Sequence, residues 1–431
     1  MSARACALGA LIACRKQNAW SDGILKEYLR RNRLDRRDAA LASRLCYGVM
    51  QNRMLLDFYI ASFLKGKLSD LQPVVLDILR LGVYQLTMMD KIPPSAAVNE
   101  AVEQGKQYAN SRAAGLINGV LRAITRAPSL PQPPDLATQY SHPAPLVALL
   151  REAVGDEILP KLLASHNEAP ATVVQMNTVK QSSSETAELM QKQGIGTQQH
   201  PWLPDCYFVT GTGSLEGLPA FREGLFYVQD AAARLAVIGS GAAPGMQVLD
   251  CCAAPGGKSF AAAIQMKNEG SILSCDLHPH KMDLIAKGAD RLGLSVITPL
   301  LHDATEPNPQ WEGKMDVVLA DVPCSGLGVI RKKPDIRYKD LSQIHRLPEI
   351  QENILHCQAG YVKPGGVLLY STCTILPREN EAVVTAFLAE HPEFSPEEMA
   401  LPGGFCGSML TFLPCTHGTD GFFLAKLRKQ L

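Results

Sequence analysis

The stretch MQVLDCCAAPGGK, residues 246–258, joins an apolar β run to a turn of small residues that leads into a helical pattern. Four more apolar runs follow at intervals that leave room for helices: SILSCD (271–276), SVITPLL (295–301), MDVVLAD (315–321) and GVLLYST (366–372). Near-continuous apolar strands that alternate with helices are typical of a parallel sheet covered on both faces. The sequence therefore predicts a Rossmann-like α/β domain over residues 221–431.

Polar side chains stand at or just beyond the ends of these runs, where the functional groups of open parallel sheets lie. They are Asp250, Asp276, Asp303, Asp321 and Cys373. Cys324 follows Asp321 in the tetrapeptide DVPC. Because both strands end at the same edge of a parallel sheet, we expect the two thiols to face one crevice.

The turn after the first strand has the features of a cofactor site. Its residues are Cys252, Ala253, Ala254, Pro255, Gly256, Gly257 and Lys258. Small residues admit a ligand close to the backbone, and the following helix offers free N–H groups. A phosphate-binding Walker A loop would need glycine at position 252, and no dinucleotide glycine pattern is present. Asp276 has the spacing of an acid that binds ribose hydroxyls, so we expect S-adenosylmethionine, with adenine near Asp303; a plain strand-to-helix turn is the alternative.

The chain before this domain divides into two tracts. Residues 1–130 carry apolar side chains at intervals of three and four, which predicts a helical domain, and the Pro-rich stretch 127–135 ends it. Residues 131–220 mix a helical segment (146–164) with β runs (172–176 and 206–210), and we predict a linker with a small α+β region of unnamed fold.

The composition is that of a globular protein, with 431 residues, 46% hydrophobic and 19% charged, which disfavours disordered and fibrous classes. The net charge of zero hides an asymmetry, because residues 1–130 carry nineteen Lys and Arg but ten Asp and Glu. Such a basic module indicates a polyanion partner or, alternatively, only solvated charge. The densest cationic clusters are Arg30, Arg31, Arg33, Arg36 and Arg37, and then Arg331, Lys332 and Lys333.

Twelve cysteines contain no C-x-x-C pair, which disfavours zinc sites and redox pairs, and we expect no metal. Cys46, Cys275 and Cys357 are interpreted as small buried hydrophobes. No secretory leader and no uncharged run of about 20 residues free of Pro and Gly is evident, so we expect a cytoplasmic protein with reduced thiols.

The longer motifs of the C-terminal half resemble the RNA cytosine-C5 methyltransferase family. They are CAAPGGK, DVPCSGLG (321–328), RKKPDIR (331–337), YSTCTILPREN (370–380) and DGFFLAKL (420–427). Residues 34–50 and 95–124 are similar to the NusB RNA-binding fold. Together these halves resemble the enzymes that methylate 16S ribosomal RNA. One departure is Val322, where the family usually has alanine, another small apolar residue.

The resemblance implies a chemistry for the site residues. Carbon 5 of cytosine becomes nucleophilic only after a thiolate adds at carbon 6. By the family pattern Cys373 is that nucleophile and Cys324 serves the release of the product. Asp321 then contacts the cytosine edge and the cofactor, and Lys258 holds the cofactor turn or promotes a nearby thiolate; a solvated surface lysine is the alternative.

Three alternatives stay open at this stage. The substrate is another RNA, such as transfer or 23S ribosomal RNA; the chain is a non-catalytic RNA-binding assembly factor; or the two thiols have exchanged roles, since DNA-type cytosine methyltransferases attack with the Pro-Cys thiol.

Overall fold

The computed structural model describes residues 2–17 and 21–431. The chain forms two compact units. The helical unit comprises Met1–Glu168 and the segment Lys332–Lys339, and the α/β unit comprises Ala169–Arg331 and Asp340–Leu431. Within the described residues no helix combines the length and apolar character needed to cross a bilayer.

The helical unit is built from amphipathic helices around one apolar core. Its helices are α1 (Ala3–Gln17), α2 (Ser21–Asn32), α3 (Arg36–Gln51), α4 (Arg53–Phe63), α5 (Pro73–Met88), α6 (Pro94–Tyr108), α7 (Ser111–Arg126), α8 (Leu136–Tyr140) and α9 (Ala144–Ser165). Leu45, Ile78 and Leu121 are fully buried in the core. Gly82 on α5 allows close packing, since a Cβ there would lie 2.7 Å from the Leu121 side chain on α7. Helices α1 to α7 lie within residues 1–130, for which the sequence predicts a helical domain. The unit runs on through α8 and α9 to Glu168, although the sequence assigns residues 131–220 to a linker with a small α+β region.

The RKKPDIR segment ends inside the helical unit. The guanidinium of Arg337 is buried and donates to the carbonyl oxygens of Gln51 at 2.6 Å and His166 at 2.7 Å. Arg53 stacks on the Tyr338 ring, with its guanidinium carbon 3.5 Å from the ring centroid. Arg337 therefore fastens a loop and does not offer its charge to an RNA phosphate.

The α/β unit is built from both strands and helices. The strands are β1 (Thr172–Met176), β2 (Gly196–Gln199), β3 (Cys206–Thr210), β4 (Phe226–Val228), β5 (Gln247–Asp250), β6 (Ser271–Asp276), β7 (Ile297–Leu301), β8 (Met315–Asp321), β9 (Val362–Thr372), β10 (Phe394–Pro396), β11 (Met399–Leu401), β12 (Phe405–Gly407), β13 (Met409–Phe412) and β14 (Phe422–Lys429). The helices are α10 (Ser183–Lys192), α11 (Pro219–Arg222), α12 (Ala231–Ser240), α13 (Gly257–Gln265), α14 (Pro279–Leu292), α15 (Leu347–Ala359), α16 (Glu381–Glu390) and α17 (Pro414–His417).

A small sheet forms the first part of this unit. Its strands run in the order β2-β3-β1-β4, and every pairing is antiparallel. Helix α10 begins with a capping box, in which the Ser182 side chain accepts from the Glu185 amide and the Glu185 side chain accepts from the Ser182 amide. Strands β1, β2 and β3 of this sheet lie in the small α+β region, residues 131–220, whose fold the sequence did not identify.

The main sheet has the order β10-β14-β9-β8-β5-β6-β7, and β13 also pairs with β14. Strands β5 to β9 pair in parallel, whereas β10, β13 and β14 are antiparallel. The predicted Rossmann-like parallel core is therefore confirmed. The carboxyl ends of β5, β6, β8 and β9 lie along one edge, and that edge holds the candidate site.

Candidate active site

Two cysteine thiols meet at this edge of the main sheet. Asp321 at the end of β8 lies in register with Ser371 on β9, so the loops that follow both strands leave the sheet side by side. The Cys324 and Cys373 sulfur atoms are 3.2 Å apart. The sequence-based expectation that both thiols face one crevice agrees with this distance.

The surroundings of Cys324 disfavour its ionised form. A hydrogen bond with Cys373 and then burial raise the pKa of Cys324 well above its usual range, and the negative charges of Cys373 and Glu379 add to this effect. A thiol that keeps its proton can donate it to a neighbouring sulfur. The arrangement therefore favours the neutral thiol form of Cys324.

The backbone between these loops is packed too closely for side chains. The Gly328 amide donates to the Cys373 carbonyl oxygen at 3.0 Å, and the Gly421 amide donates to the Gly328 carbonyl oxygen at 2.8 Å. A Cβ at Gly328 would lie 1.9 Å from the Gly421 carbonyl oxygen. Glycine at position 328 is therefore required for the loop that carries Cys324 to approach the Cys373 loop.

A buried lysine joins the small-residue turn to the end of β8. The Lys258 Nζ atom lies 2.6 Å from Asp321 Oδ2, and the Ser371 hydroxyl donates to Asp321 Oδ1 at 2.8 Å. Lys258 also lies over the Phe422 ring, with Nζ 5.0 Å from the centroid. The solvated-lysine interpretation is therefore wrong, because this side chain is only 10% exposed.

The turn 252–258 is shaped by its small residues. The Ala253 amide donates to the Cys275 carbonyl oxygen at 2.7 Å, and the peptide bond between Ala254 and Pro255 is cis. Gly256 has φ +109°, and a Cβ there would lie 2.4 Å from the Phe260 ring. Such a turn brings bare backbone and the N-terminus of α13 to the edge that holds the thiols.

Asp276 and Asp303 differ in what they offer a ligand. Asp276, at the end of β6, is only 7% exposed, and its Oδ1 accepts from the His278 amide and faces Lys281. Both of these contacts use Oδ1, which leaves Oδ2 for a hydroxyl. The Asp303 carboxylate caps a turn by accepting from the Thr305 amide and hydroxyl, and these bonds lower its pKa.

An apolar side chain that the sequence did not single out follows Asp276. Leu277 is 56% exposed, although it directly follows a buried strand. Leu301, which follows Leu300 at the end of β7 and pairs with Asp276, is 57% exposed. Exposed leucines beside an acidic strand end are suited to contact a flat apolar ring. In the sequence, the only indication of this surface was that each leucine stands at or just after the end of a strand.

Asp250 lies beneath the turn and is fully buried. Its Oδ2 accepts from the Ser259 hydroxyl at 2.7 Å, and Ser259 in turn accepts from the Ser274 hydroxyl at 2.7 Å. Burial raises the pKa of Asp250 to about 7, and the nearby Asp321 charge contributes. Asp250 thus joins the end of β5 to the first turn of α13, and Ser259 extends the link to Ser274 on β6.

The cationic residues singled out in the sequence fall into two groups. Arg331 is buried and donates to the Gly418 and Thr419 carbonyl oxygens, so its expected role in RNA binding is not supported. In the helical unit, by contrast, the side chains of the first cluster are exposed: Arg30, Arg31, Arg33, Arg36 and Arg37. Cys46 and Cys275 are buried as expected, whereas Cys357 is only half-buried.

Three sequence profiles match the chain. The profile of the 16S rRNA methyltransferase RsmB/F family covers residues 242–428, that of the NusB family covers residues 1–126, and that of the RsmF/B-like ferredoxin-like domain covers residues 142–216. The last match indicates that the small antiparallel sheet belongs to a ferredoxin-like domain. Fold and profiles together define a ribosomal RNA methyltransferase with a NusB-type helical domain.

Relatives match over the whole chain. The probable ribosomal RNA small subunit methyltransferase B of Bacillus subtilis is 39% identical over all of this chain and 99% of its own length. The ribosomal RNA small subunit methyltransferase B of Vibrio cholerae is 34% identical over 91% of this chain and 90% of its own. The solved structure of PH0851 has a TM-score of 0.82 at 26% identity and covers 99% of this chain and 98% of that one. The chain belongs to the ribosomal RNA small subunit methyltransferase B family.

Proposed function

We propose that this ribosomal RNA methyltransferase transfers a methyl group from S-adenosylmethionine to carbon 5 of a cytosine in 16S ribosomal RNA. The observation that carries the choice of atom, carbon 5 of a pyrimidine, is the pair of sulfur atoms, Cys324 and Cys373, 3.2 Å apart at the strand ends. The choice of cytosine rests on the resemblance to the RNA cytosine-C5 methyltransferases. Methylation of a nucleobase nitrogen or a ribose oxygen needs no thiol. Methylation of cytosine carbon 5 needs one to activate the ring.

Cys373 is the proposed nucleophile. Its sulfur forms a bond to carbon 6 of the base, and the electron pair of the C5–C6 double bond becomes available for carbon 5 to take a methyl group. Cys324, which must first give its own proton to solvent, takes the proton from carbon 5, and the electron pair left behind restores the double bond as the bond between the Cys373 sulfur and carbon 6 breaks. The thiolate returns to Cys373, and the neighbouring Cys324 is assigned to this release step.

Asp321 and Lys258 are proposed to act on the cytosine edge. Both Asp321 oxygens already accept hydrogen bonds, one from Lys258 and one from Ser371. An oxygen that accepts cannot at the same time donate to ring nitrogen 3. A hydrogen bond from Asp321 to ring nitrogen 3 therefore requires the carboxylate to take a proton, and Lys258 is the neighbouring donor at 2.6 Å.

The residues around the turn fit S-adenosylmethionine, which supplies the methyl group when bound. Asp276 Oδ2 is available for a ribose hydroxyl, and the exposed Leu277 offers an apolar face for adenine. The turn 252–258 would receive the methionine end, and Asp303 would lie near the adenine. The part of the chain described by the structure offers no cluster of His, Cys, Asp and Glu for a metal ion.

The helical unit is proposed to bind the RNA through phosphate contacts. Its exposed arginines, residues 30–37, provide positive charge that needs no particular sequence, so they position the substrate and do not select the base. The target cytosine must be unstacked before a thiol can reach carbon 6.

The test is a methyl-transfer assay with labelled S-adenosylmethionine and transcripts of 16S, 23S and transfer RNA. We expect label in the 16S transcript alone, recovered as 5-methylcytidine after digestion and mass spectrometry of the nucleosides. Label in a different nucleoside, or a preference for another RNA, would contradict the proposal. Binding of the 16S transcript without transfer would instead favour an assembly factor.

A further inference from the structure

The peptide bonds on either side of Cys324 are fixed by two buried side chains from elsewhere in the α/β unit. The Gln351 side-chain amide on α15 donates to the Pro323 carbonyl oxygen at 2.9 Å and to Glu379 Oε2 at 3.1 Å. The Ser325 amide donates to the same Glu379 oxygen at 2.9 Å. Gln351 and Glu379 are both fully buried.

The same carboxylate belongs to the loop that carries the other thiol. Glu379 lies six positions after Cys373. Asn380, its neighbour, accepts from the Thr372 hydroxyl at 2.6 Å and donates to the Thr374 carbonyl oxygen at 3.1 Å, which closes the loop upon itself. One carboxylate therefore couples the positions of both thiol-bearing loops.

We propose that Gln351 and Glu379 form a clamp that positions Cys324 beside Cys373 and leaves Cys373 as the thiol that attacks the base. Both are positioning residues, because neither reaches the sheet edge where substrate would lie. The inference rests on the proposed function, since it explains how two adjacent thiols keep different roles. No motif or spacing assigned a role to either residue.

Charge supports the same assignment as the geometry. The Glu379 carboxylate is one of the groups that raise the pKa of Cys324. A negative charge beside a thiol disfavours its ionised form, so the carboxylate helps to keep the proton on Cys324. The retained S–H group can then donate to the Cys373 sulfur, which lies 3.2 Å away.

The experiment measures the alkylation of each thiol by iodoacetamide between pH 6 and 10 in the full chain, without RNA or cofactor. Tryptic residues 315–331 contain Cys324 and no other cysteine, and tandem mass spectrometry locates the label at Cys373. In the parent protein we expect Cys373 to react at least about tenfold faster at pH 8. Glu379→Gln keeps an accepting oxygen but removes the charge, so the alkylation midpoint of Cys324 should fall by about half to one pH unit.

Two further variants separate the effect of the Glu379 charge from the effect of the hydrogen bonds that hold the loop carrying Cys324. Glu349→Gln removes an exposed carboxylate from the same helix as Gln351 and should leave both alkylation profiles unchanged. Gln351→Leu keeps the charge but frees the loop, so Cys324 should react several-fold faster at every pH with little change in midpoint. An unchanged Cys324 profile in folded Glu379→Gln or Gln351→Leu overturns the clamp, whatever the outcome of the RNA assay. A changed profile in an enzyme that does not form 5-methylcytidine would overturn the proposed function alone.

Discussion

Lys258 Nζ lies 2.6 Å from Asp321 Oδ2, and this ion pair joins the first turn of α13 to the carboxyl end of β8. The lysine is nearly buried, whereas the Asp321 side chain is 30% exposed. Because the Asp321 carboxylate is partly exposed at the end of β8, a ligand at this edge of the sheet can contact it while it stays paired with Lys258. This supports a role for the pair at the reaction site. The pair also couples the cofactor turn to the proposed cytosine contact.

Replacement of Lys258 by methionine should lower methyl transfer by about 100-fold, because the donor beside the base is lost and Asp321 remains without its cation. The rate is measured with labelled S-adenosylmethionine and the 16S transcript. Lys287→Met is the matched control, since Lys287 is 79% exposed on α14. A Lys258→Met rate within twofold of the parent rate would contradict the assignment.

Asp276→Asn should weaken the binding of S-adenosylmethionine by about 1.5 to 3 kcal/mol, because the hydrogen bond from a ribose hydroxyl to a charged oxygen is lost. Calorimetry with the full chain measures the dissociation constant. Asp283→Asn, at a 77% exposed position on α14, should bind as the parent does. Equal affinity in a folded Asp276→Asn variant would remove Asp276 from the cofactor site.

The pH dependence of stability should report the buried Asp250. Its pKa is about 7 in the folded chain, against 3.8 for the free side chain, so the folded state holds a proton that the unfolded state loses from about pH 4 upward. Its contribution to the free energy of unfolding is therefore complete below pH 4 and is lost as the pH rises through 7.

Asp250→Asn is neutral at every pH and isolates this contribution. The difference in unfolding free energy between parent and variant should shift by about 2 to 4 kcal/mol between pH 4 and 8, with the parent losing stability relative to the variant. Urea unfolding of both proteins at several pH values measures it. A difference that stays constant over this range would show that Asp250 titrates as an ordinary exposed carboxyl.

Removal of two exposed arginines, Arg30→Ala with Arg31→Ala, should reduce the dependence of RNA affinity on salt. Each lost phosphate contact lowers the slope of log K against log salt by about 0.7 to 0.9. Filter binding between 50 and 300 mM salt provides the slope, with Lys106→Ala and Arg151→Ala together as control, because both are exposed and paired with acids. Identical slopes in the two double variants would mean that the first cluster is only solvated charge.

The sequence predicted the parallel core of the α/β unit closely. Ser271–Asp276 and Met315–Asp321 begin and end where their apolar runs do, because each strand is buried on both faces. Strand β9 begins at Val362, before the predicted run 366–372, because Val362 pairs with Met315. The antiparallel strands β10 to β13 are three or four residues long, too short to show a period.

The sequence could predict which site residues stand at strand ends, but it could not predict the hydrogen bonds that connect them to the rest of the unit. Cys324, Cys373 and Asp321 follow from the position of each residue after its run, together with the family motifs. The contacts of Glu379 and Gln351 join residues 28 positions apart and longer, and no local pattern encodes them. The burial of Arg331 was missed for the same reason, because its carbonyl partners lie near residue 418.

The two thiols provide the most direct test of the account. Cys324→Ala should still add to the base and methylate it but release the product poorly, so a protein–RNA complex that resists denaturing electrophoresis should accumulate with RNA and S-adenosylmethionine. Cys373→Ala should form no such complex and no 5-methylcytidine. Cys406→Ala, at an exposed position, is the control and should turn over as the parent does.

That gel measures the central claim, which is that Cys373 attacks carbon 6 and Cys324 serves release. The account predicts a trapped band for Cys324→Ala alone. A trapped band for Cys373→Ala, with none for Cys324→Ala, would contradict it and reverse the two roles.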